Sequence, residues 1–156
     1  MSRRAIERTG STTDGGPALF RLVRFWSRRW INRTSAELPD ELRSAQHVQV
    51  VEAVAATVEL GGEATIGTVA HQLGLDHSGA SRMVRDATAA GYLARAAATH
   101  DRRKTSLALT GDGEQLLTEA HVWQRQVFAD LTADWDDADR KRFAGYLRRL
   151  SEQLPR

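Results

Sequence analysis

The 156-residue chain contains no cysteine, so a disulfide framework and a redox-active thiol are both excluded. No apolar stretch is long enough to cross a membrane, because the run from Val48 to Val58 is interrupted by Gln49 and Glu52. No apolar segment follows the basic residues at the start of the chain either. We therefore expect no secretory signal and a cytoplasmic protein.

Motifs of enzymatic chemistry are also missing. The sequence has no glycine-rich phosphate loop, no nucleophile elbow and no His-Glu motif at zinc spacing. Its five histidines are not paired at the spacing of metal ligands. We therefore expect that the protein is not an enzyme and holds neither a cofactor nor a metal.

The net charge of +2 conceals a strong segregation of charge along the chain. Residues 1–34 carry eight basic and two acidic side chains, and residues 76–110 carry six and three. The segments 35–75 and 111–156 have an acidic excess. Two basic blocks that meet on one face would attract a polyanion such as nucleic acid. The alternative is ordinary solvated surface charge.

Apolar spacing predicts a mostly α-helical chain with one small β-hairpin. Residues 1–16 are polar and glycine-rich, which predicts a disordered N-terminal arm. A helix is predicted over about residues 17–33. After a loop at Pro39, Ser44 is the predicted N-cap of a second helix over 45–59.

Two short helices are predicted next, with Thr65 and Asp76 as their N-caps. Only Gly74 and Leu75 separate these helices, which is typical of a helix-turn-helix. Gly91 is the expected residue just beyond the C-cap of the second one.

A β-hairpin and two longer helices complete the predicted order. Strands are predicted over 92–97 and 105–109, around a polar loop at 98–104, because apolar residues alternate with small ones in the second strand. Thr110 is the predicted N-cap of a helix that ends near residue 133, and Asp136 caps the last helix.

The helix after Asp76 has a composition suited to a DNA major groove, which admits a helix that presents short polar or basic side chains. Its inner face is predicted to be apolar. Gly79 would let the backbone approach DNA closely. An ordinary amphipathic surface helix is the alternative. The predicted DNA-binding residues of this helix are Ser78, Gly79, Ser81, Arg82 and Arg85.

The loop between the strands is the second predicted DNA contact, through Arg102, Arg103 and Lys104. A cationic hairpin tip can reach across a phosphate ridge and insert an arginine into the minor groove, where the potential is most negative. Asp101 is expected to orient Arg103 or to cap loop amides rather than to contact phosphate.

Five residues of this segment carry a family resemblance. Asp101, Arg103, Leu107, Leu109 and Thr110 match the D-x-R-x-x-x-L-x-L-T wing signature of MarR-type regulators. The resemblance covers about residues 17–153 and implies a winged helix-turn-helix fold. It also implies recognition roles for Ser78, Ser81 and Arg82, and a minor-groove role for Arg103 that Asp101 supports.

The resemblance further implies a homodimer that binds pseudo-palindromic double-stranded DNA. Residues 45–110 would form the DNA-binding lobe, and residues 17–44 and 111–156 the helical dimerisation region. Many members of the family repress transcription until a small, often aromatic, ligand releases them. The alternative function is a winged-helix interaction module with weak or lost DNA binding, which the small residues at 79, 87 and 90 would allow.

The apolar faces of the first and the last two helices exceed what a core of this size needs. Burial in a twofold dimer is favoured over a monomer with folded-back helices, and over membrane binding by the first helix. Four tryptophans suggest an aromatic ligand pocket, for which plain core packing is the alternative. The predicted pocket residues are Trp26, Trp30, His47 and Trp123.

Overall fold

The structure is a computed structural model that describes residues 15–25, 39–97 and 105–153. The chain divides into two units, residues 1–42 and 43–156. In the first unit, residues 16–25 form helix α1, one residue earlier than the predicted start. The arm is predicted over residues 1–16; residues 1–14 lie outside the described residues, and residue 16 already belongs to α1.

Six helices and two strands lie within the described residues, and their order confirms the mostly α fold class with a β-hairpin wing. After α1 the elements are α2 (Pro39–Glu59), α3 (Ile66–Leu73), α4 (His77–Ala89), β1 (Leu93–Ala97), β2 (Thr105–Leu109), α5 (Gly111–Leu131) and α6 (Asp137–Ser151).

The predicted start of α2 was wrong. The helix begins at Pro39, so Ser44 lies inside it and is not its N-cap. The sequence alone predicts a loop at this proline. However, its fixed φ angle suits the first turn of a helix, where its missing amide hydrogen leaves no hydrogen bond unmade.

The hydrophobic core lies where α2, α3 and α4 pack with the hairpin. Its fully buried side chains are alanines and valines, together with one leucine from each strand, and leucines of α3 and α5 pack against them. α2 contributes a row in which the side chains of Val50, Val51 and Val54 have no exposed surface. Beside this row, the buried Thr57 hydroxyl donates to the Ala53 carbonyl at 2.9 Å and accepts from Gln72 Nε2 at 2.7 Å. The buried Thr57 hydroxyl therefore both donates and accepts a hydrogen bond, as a buried polar group should.

The predicted caps of the helix-turn-helix are confirmed. Thr65 accepts from the Thr68 amide at 3.2 Å, and the Thr68 hydroxyl accepts from the Thr65 amide at 2.8 Å, which forms a reciprocal capping box. α3 ends at Gly74, whose φ of 63° lies in the left-handed region that glycine tolerates best. The chain therefore turns within two residues into the cap of α4.

The two strands pair antiparallel from Leu93 opposite Leu109 to Ala97 opposite Thr105. The Leu107 amide also donates to the Ala64 carbonyl at 2.8 Å, which ties β2 to the segment before α3. Leu93 and Leu107 are buried in the core. The hairpin is therefore fixed on the helices along one face.

A compact joint connects the end of α4, the start of β1 and the start of α5. Thr110 caps α5 by accepting from the Gly113 amide at 3.1 Å, as the sequence predicts. Its hydroxyl donates to the Gly91 carbonyl, and its own amide donates to the Tyr92 carbonyl at 3.1 Å. One threonine therefore holds three elements together.

The turn between α5 and α6 is held by a second polar cluster. Arg140 Nη2 donates to the carbonyls of Thr132 and Trp135, each at 3.2 Å. Phe143 packs on Phe128 with ring centroids 6.0 Å apart, and on Trp135 with centroids 5.1 Å apart. The negative end of the α5 dipole also attracts a cation such as Arg140. Together these contacts fix the direction in which α6 leaves α5.

Candidate nucleic-acid interface

The outer face of α4 is the centre of the candidate site. Ser78, Arg82 and Arg85 are all exposed and are separated by four and three residues, so they lie on one side of the helix. Gly79 and Ser81 are half-buried at the edge of this face. The helix therefore presents a hydroxyl and two guanidinium groups outwards together.

The inner face of α4 is anchored in the core. Ala80, Val84 and Ala87 have no exposed surface, and Met83 packs against them at the edge. Ala87 is fully buried although its side chain is small. The outward side chains therefore project from a helix whose position the core fixes.

Gly79 has a local structural reason that the sequence analysis did not find. The Asp76 side chain caps α4 by accepting from the Gly79 amide at 2.7 Å. A β-carbon at residue 79 would lie 2.7 Å from Asp76 Oδ1, closer than such atoms approach. Glycine therefore lets the cap close tightly. Since Asp76 already uses this amide, the N-terminus of α4 has fewer amides to offer a phosphate.

The two arginines of this face have no partner among the described residues. Neither Arg82 nor Arg85 forms an ion pair or a side-chain hydrogen bond with the residues that the structure describes. By contrast, Arg140 and Arg142 on α6 each bond an aspartate at 3.1 Å. No described side chain therefore neutralises the charge on the outer face of α4.

The predicted wing tip lies outside the described residues. This applies to Asp101, Arg102, Arg103 and Lys104, whose DNA-binding roles stay predictions. The strands that lead into and out of the tip are placed, and their pairing runs to Ala97 and Thr105. β1, which leads into the loop, packs against α4.

Sequence reasoning missed Arg95 on β1 and Gly113 on α5. Arg95 is an exposed cation on the strand that joins α4 to the loop. It was overlooked because an isolated arginine in a strand has no helical spacing to mark it. Gly113 is buried against the Tyr92 carbonyl, a contact between residues distant in sequence.

Of the predicted pocket residues, Trp26 and Trp30 lie outside the described residues. His47 packs on Tyr92, with ring centroids 5.2 Å apart and the rings tilted by 54°. Trp123 lies on α5 and is 47% exposed. The ligand pocket therefore stays a prediction.

An open cleft of about 390 Å³ lies elsewhere, at the C-terminal end of α6. Among the described residues, no group of three or more acidic or histidine side chains has the arrangement of a metal site. In the same ranges, no helix has both the length and the apolar character needed to cross a membrane.

A helix pair joined by a two-residue turn, followed by a hairpin that packs on the second helix, defines a winged helix-turn-helix protein. Residues 44–104 match the model of the MarR family, so the resemblance carried by the wing signature is confirmed. The segment is therefore similar to the MarR family in sequence, and its fold is that of a winged helix-turn-helix. The matching structures from Sulfolobus solfataricus and Silicibacter pomeroyi are those of transcriptional regulators.

Three solved structures illustrate the likeness. A MarR family transcriptional regulator from Silicibacter pomeroyi has 20% identity and a TM-score of 0.63, with 97% of each chain covered. Bordetella bronchiseptica BpsR, whose DNA binding is regulated by 6-hydroxynicotinic acid, has 22% identity and a TM-score of 0.57 over 86% of this chain and 98% of its own. S. aureus MepR, in a complex with DNA, has 14% identity and a TM-score of 0.55 over 89% and 99%. No curated protein matches the sequence.

Proposed function

We propose that this chain is a sequence-specific DNA-binding transcription regulator that acts as a homodimer. α4 enters the major groove, where Arg82 reads a base and Ser78, Ser81 and Arg85 contact base edges or phosphates. The observation that carries this proposal is the contrast between the two faces of α4. On one face Ala80, Val84 and Ala87 are fully buried, and the other face presents guanidinium groups that pair with no described side chain.

The loop over 98–104 forms the second contact in this proposal. Arg103 inserts into the minor groove, Asp101 orients it, and Arg102 and Lys104 neutralise nearby phosphates. The paired strands support this role, because they hold Ala97 and Thr105, between which the loop runs, opposite each other. MepR, a structural relative, is known in complex with DNA.

We propose that the predicted dimerisation region, residues 17–44 and 111–156, joins two copies of the chain. The support is exposed apolar surface on the terminal helices, which a single chain leaves in water. On α5 and α6 the exposed side chains include Val122, Leu131, Tyr146, Leu147 and Leu150. Twofold symmetry would place two α4 helices roughly 34 Å apart, one turn of DNA.

In this proposal the regulator represses transcription until a small aromatic ligand releases it. The support is the likeness to BpsR, whose DNA binding responds to 6-hydroxynicotinic acid. In this chain, His47 and Trp123 are the described members of the proposed aromatic site. His47 packs on Tyr92 next to the joint of α4, β1 and α5, so a ligand there would act on the wing.

The test is a titration of duplex DNA from the region upstream of the protein's own gene, with a scrambled duplex as control. A regulator should prefer the upstream duplex and lose affinity steeply with salt, with a slope of about −0.9 per phosphate neutralised. A flat salt response, or no binding, would favour the winged-helix interaction module. Repeating the titration with 6-hydroxynicotinic acid tests the release.

Replacing Arg103 with alanine is expected to weaken binding to the upstream duplex, because one cation is removed from the minor groove. The midpoint of thermal unfolding should not change, since the predicted loop tip is solvated. Fluorescence anisotropy on the same duplex measures the loss, and Arg102→Ala is the neighbouring control with a smaller expected effect. An unchanged affinity for Arg103→Ala would remove the wing from the mechanism.

A further inference from the structure

Arg95 occupies an unusual position on β1. It lies two residues beyond Leu93 and directly opposite Leu107, and each of these leucines is only 3% exposed. Alternate residues of a strand, and residues directly opposite in an antiparallel pair, point to the same face of the hairpin. Arg95 therefore lies on the face that packs on the helices, yet its side chain is exposed.

No described side chain neutralises this cation. Arg95 forms no ion pair and no side-chain hydrogen bond within the residues that the structure describes. Leucine or alanine at this position would continue the pattern of β1, which otherwise consists of those two residue types. The strand thus carries an unpaired positive charge at the edge of the core.

The order of the elements places Arg95 between the two proposed grooves. The chain runs from α4 through Gly91 and Tyr92 into β1, and from there into the loop at 98–104. A helix in the major groove and a loop in the adjacent minor groove are separated by one phosphate ridge. β1 is the segment that crosses from one to the other.

We infer that Arg95 binds a phosphate of the DNA backbone on this ridge. The inference rests on the proposed function. A backbone phosphate is the expected ligand because Arg95 lies on the segment between the two proposed groove contacts, α4 and the loop at 98–104. A guanidinium group held on a paired strand suits a fixed phosphate, since its planar fork can donate two hydrogen bonds to the oxygens.

The experiment compares Arg95→Ala and Arg95→Lys with the wild type on the upstream and the scrambled duplex over a range of potassium chloride concentrations. Arg95→Ala should lose affinity several-fold and to the same extent on both duplexes. The salt slope should become shallower by about 0.9 for each Arg95 removed, or about 1.8 for a dimer. Arg95→Lys keeps the charge and should retain most of the slope. Arg95→Lys is therefore the matched control for the loss of charge at this position.

Two results would overturn the inference while leaving the proposed function intact. The first is a wild-type chain that binds DNA and an Arg95→Ala variant that matches it in affinity and slope. The second is a loss restricted to the upstream duplex, which would mean that Arg95 reads a base. A wild-type chain that binds no duplex would instead refute the proposed function itself.

Discussion

Replacing Gly113 with alanine is expected to destabilise the protein by about 1–3 kcal/mol, or more if the backbone does not adjust. A β-carbon at this position would overlap the carbonyl oxygen of Tyr92 and contact Leu109 Cγ at 3.4 Å. The carbonyl is held in place because it accepts from the Thr110 amide. Alanine favours a helix over glycine by up to about 1 kcal/mol, so the clash must exceed this gain. The free energy of unfolding in urea measures the balance.

Gly111→Ala provides the matched control, two residues earlier in the same helix. A β-carbon there would meet no atom within 4 Å, and the glycine does not have a positive φ. This variant should be as stable as the wild type or more stable by about 0.4–1 kcal/mol, because alanine restricts the unfolded chain. Equal stability of the two variants would contradict the steric role of the joint.

Replacing Arg82 with alanine is expected to weaken binding to the upstream duplex by about 1–3 kcal/mol and to relax sequence preference at one base pair. The physical reason is that guanine offers two acceptors that an arginine fork can bond together, whereas a phosphate offers no sequence information. Anisotropy titrations against duplexes substituted one base pair at a time measure both effects. The exposed position of Arg82 predicts no loss of stability.

Arg82→Lys separates charge from geometry, because lysine keeps the charge but not the planar fork. If Arg82 reads a base, the lysine variant should keep most of the salt slope and lose base preference. A loss that is uniform across all duplexes in the alanine variant would instead assign Arg82 to a phosphate.

Local sequence signals predicted the helix-turn-helix well. Thr65, Asp76 and Thr110 cap their helices because a side-chain oxygen next to a helix start has few competing partners. Gly74 and Gly91 adopt positive φ angles at the helix ends where glycine was expected. These features depend on neighbours within a few residues, so a single sequence contains them.

The start of α2 could not be predicted in the same way. Proline is compatible both with a loop and with the first turn of a helix, and the residues around Pro39 did not decide between them. The sequence also did not reveal why residues 79 and 113 are glycine in structural terms. The cap of α4 explains the first, and a carbonyl 21 residues away in sequence explains the second.

The amino-acid sequence alone determined the order of helices and strands, the caps and the chemical character of α4, because these follow from contacts between near neighbours. The tertiary structure decided which cations have no partner among the described residues, where Arg95 lies relative to the hairpin core, and why Gly113 must lack a side chain. Those properties depend on atoms that packing brings together from distant parts of the chain, and no local pattern records them.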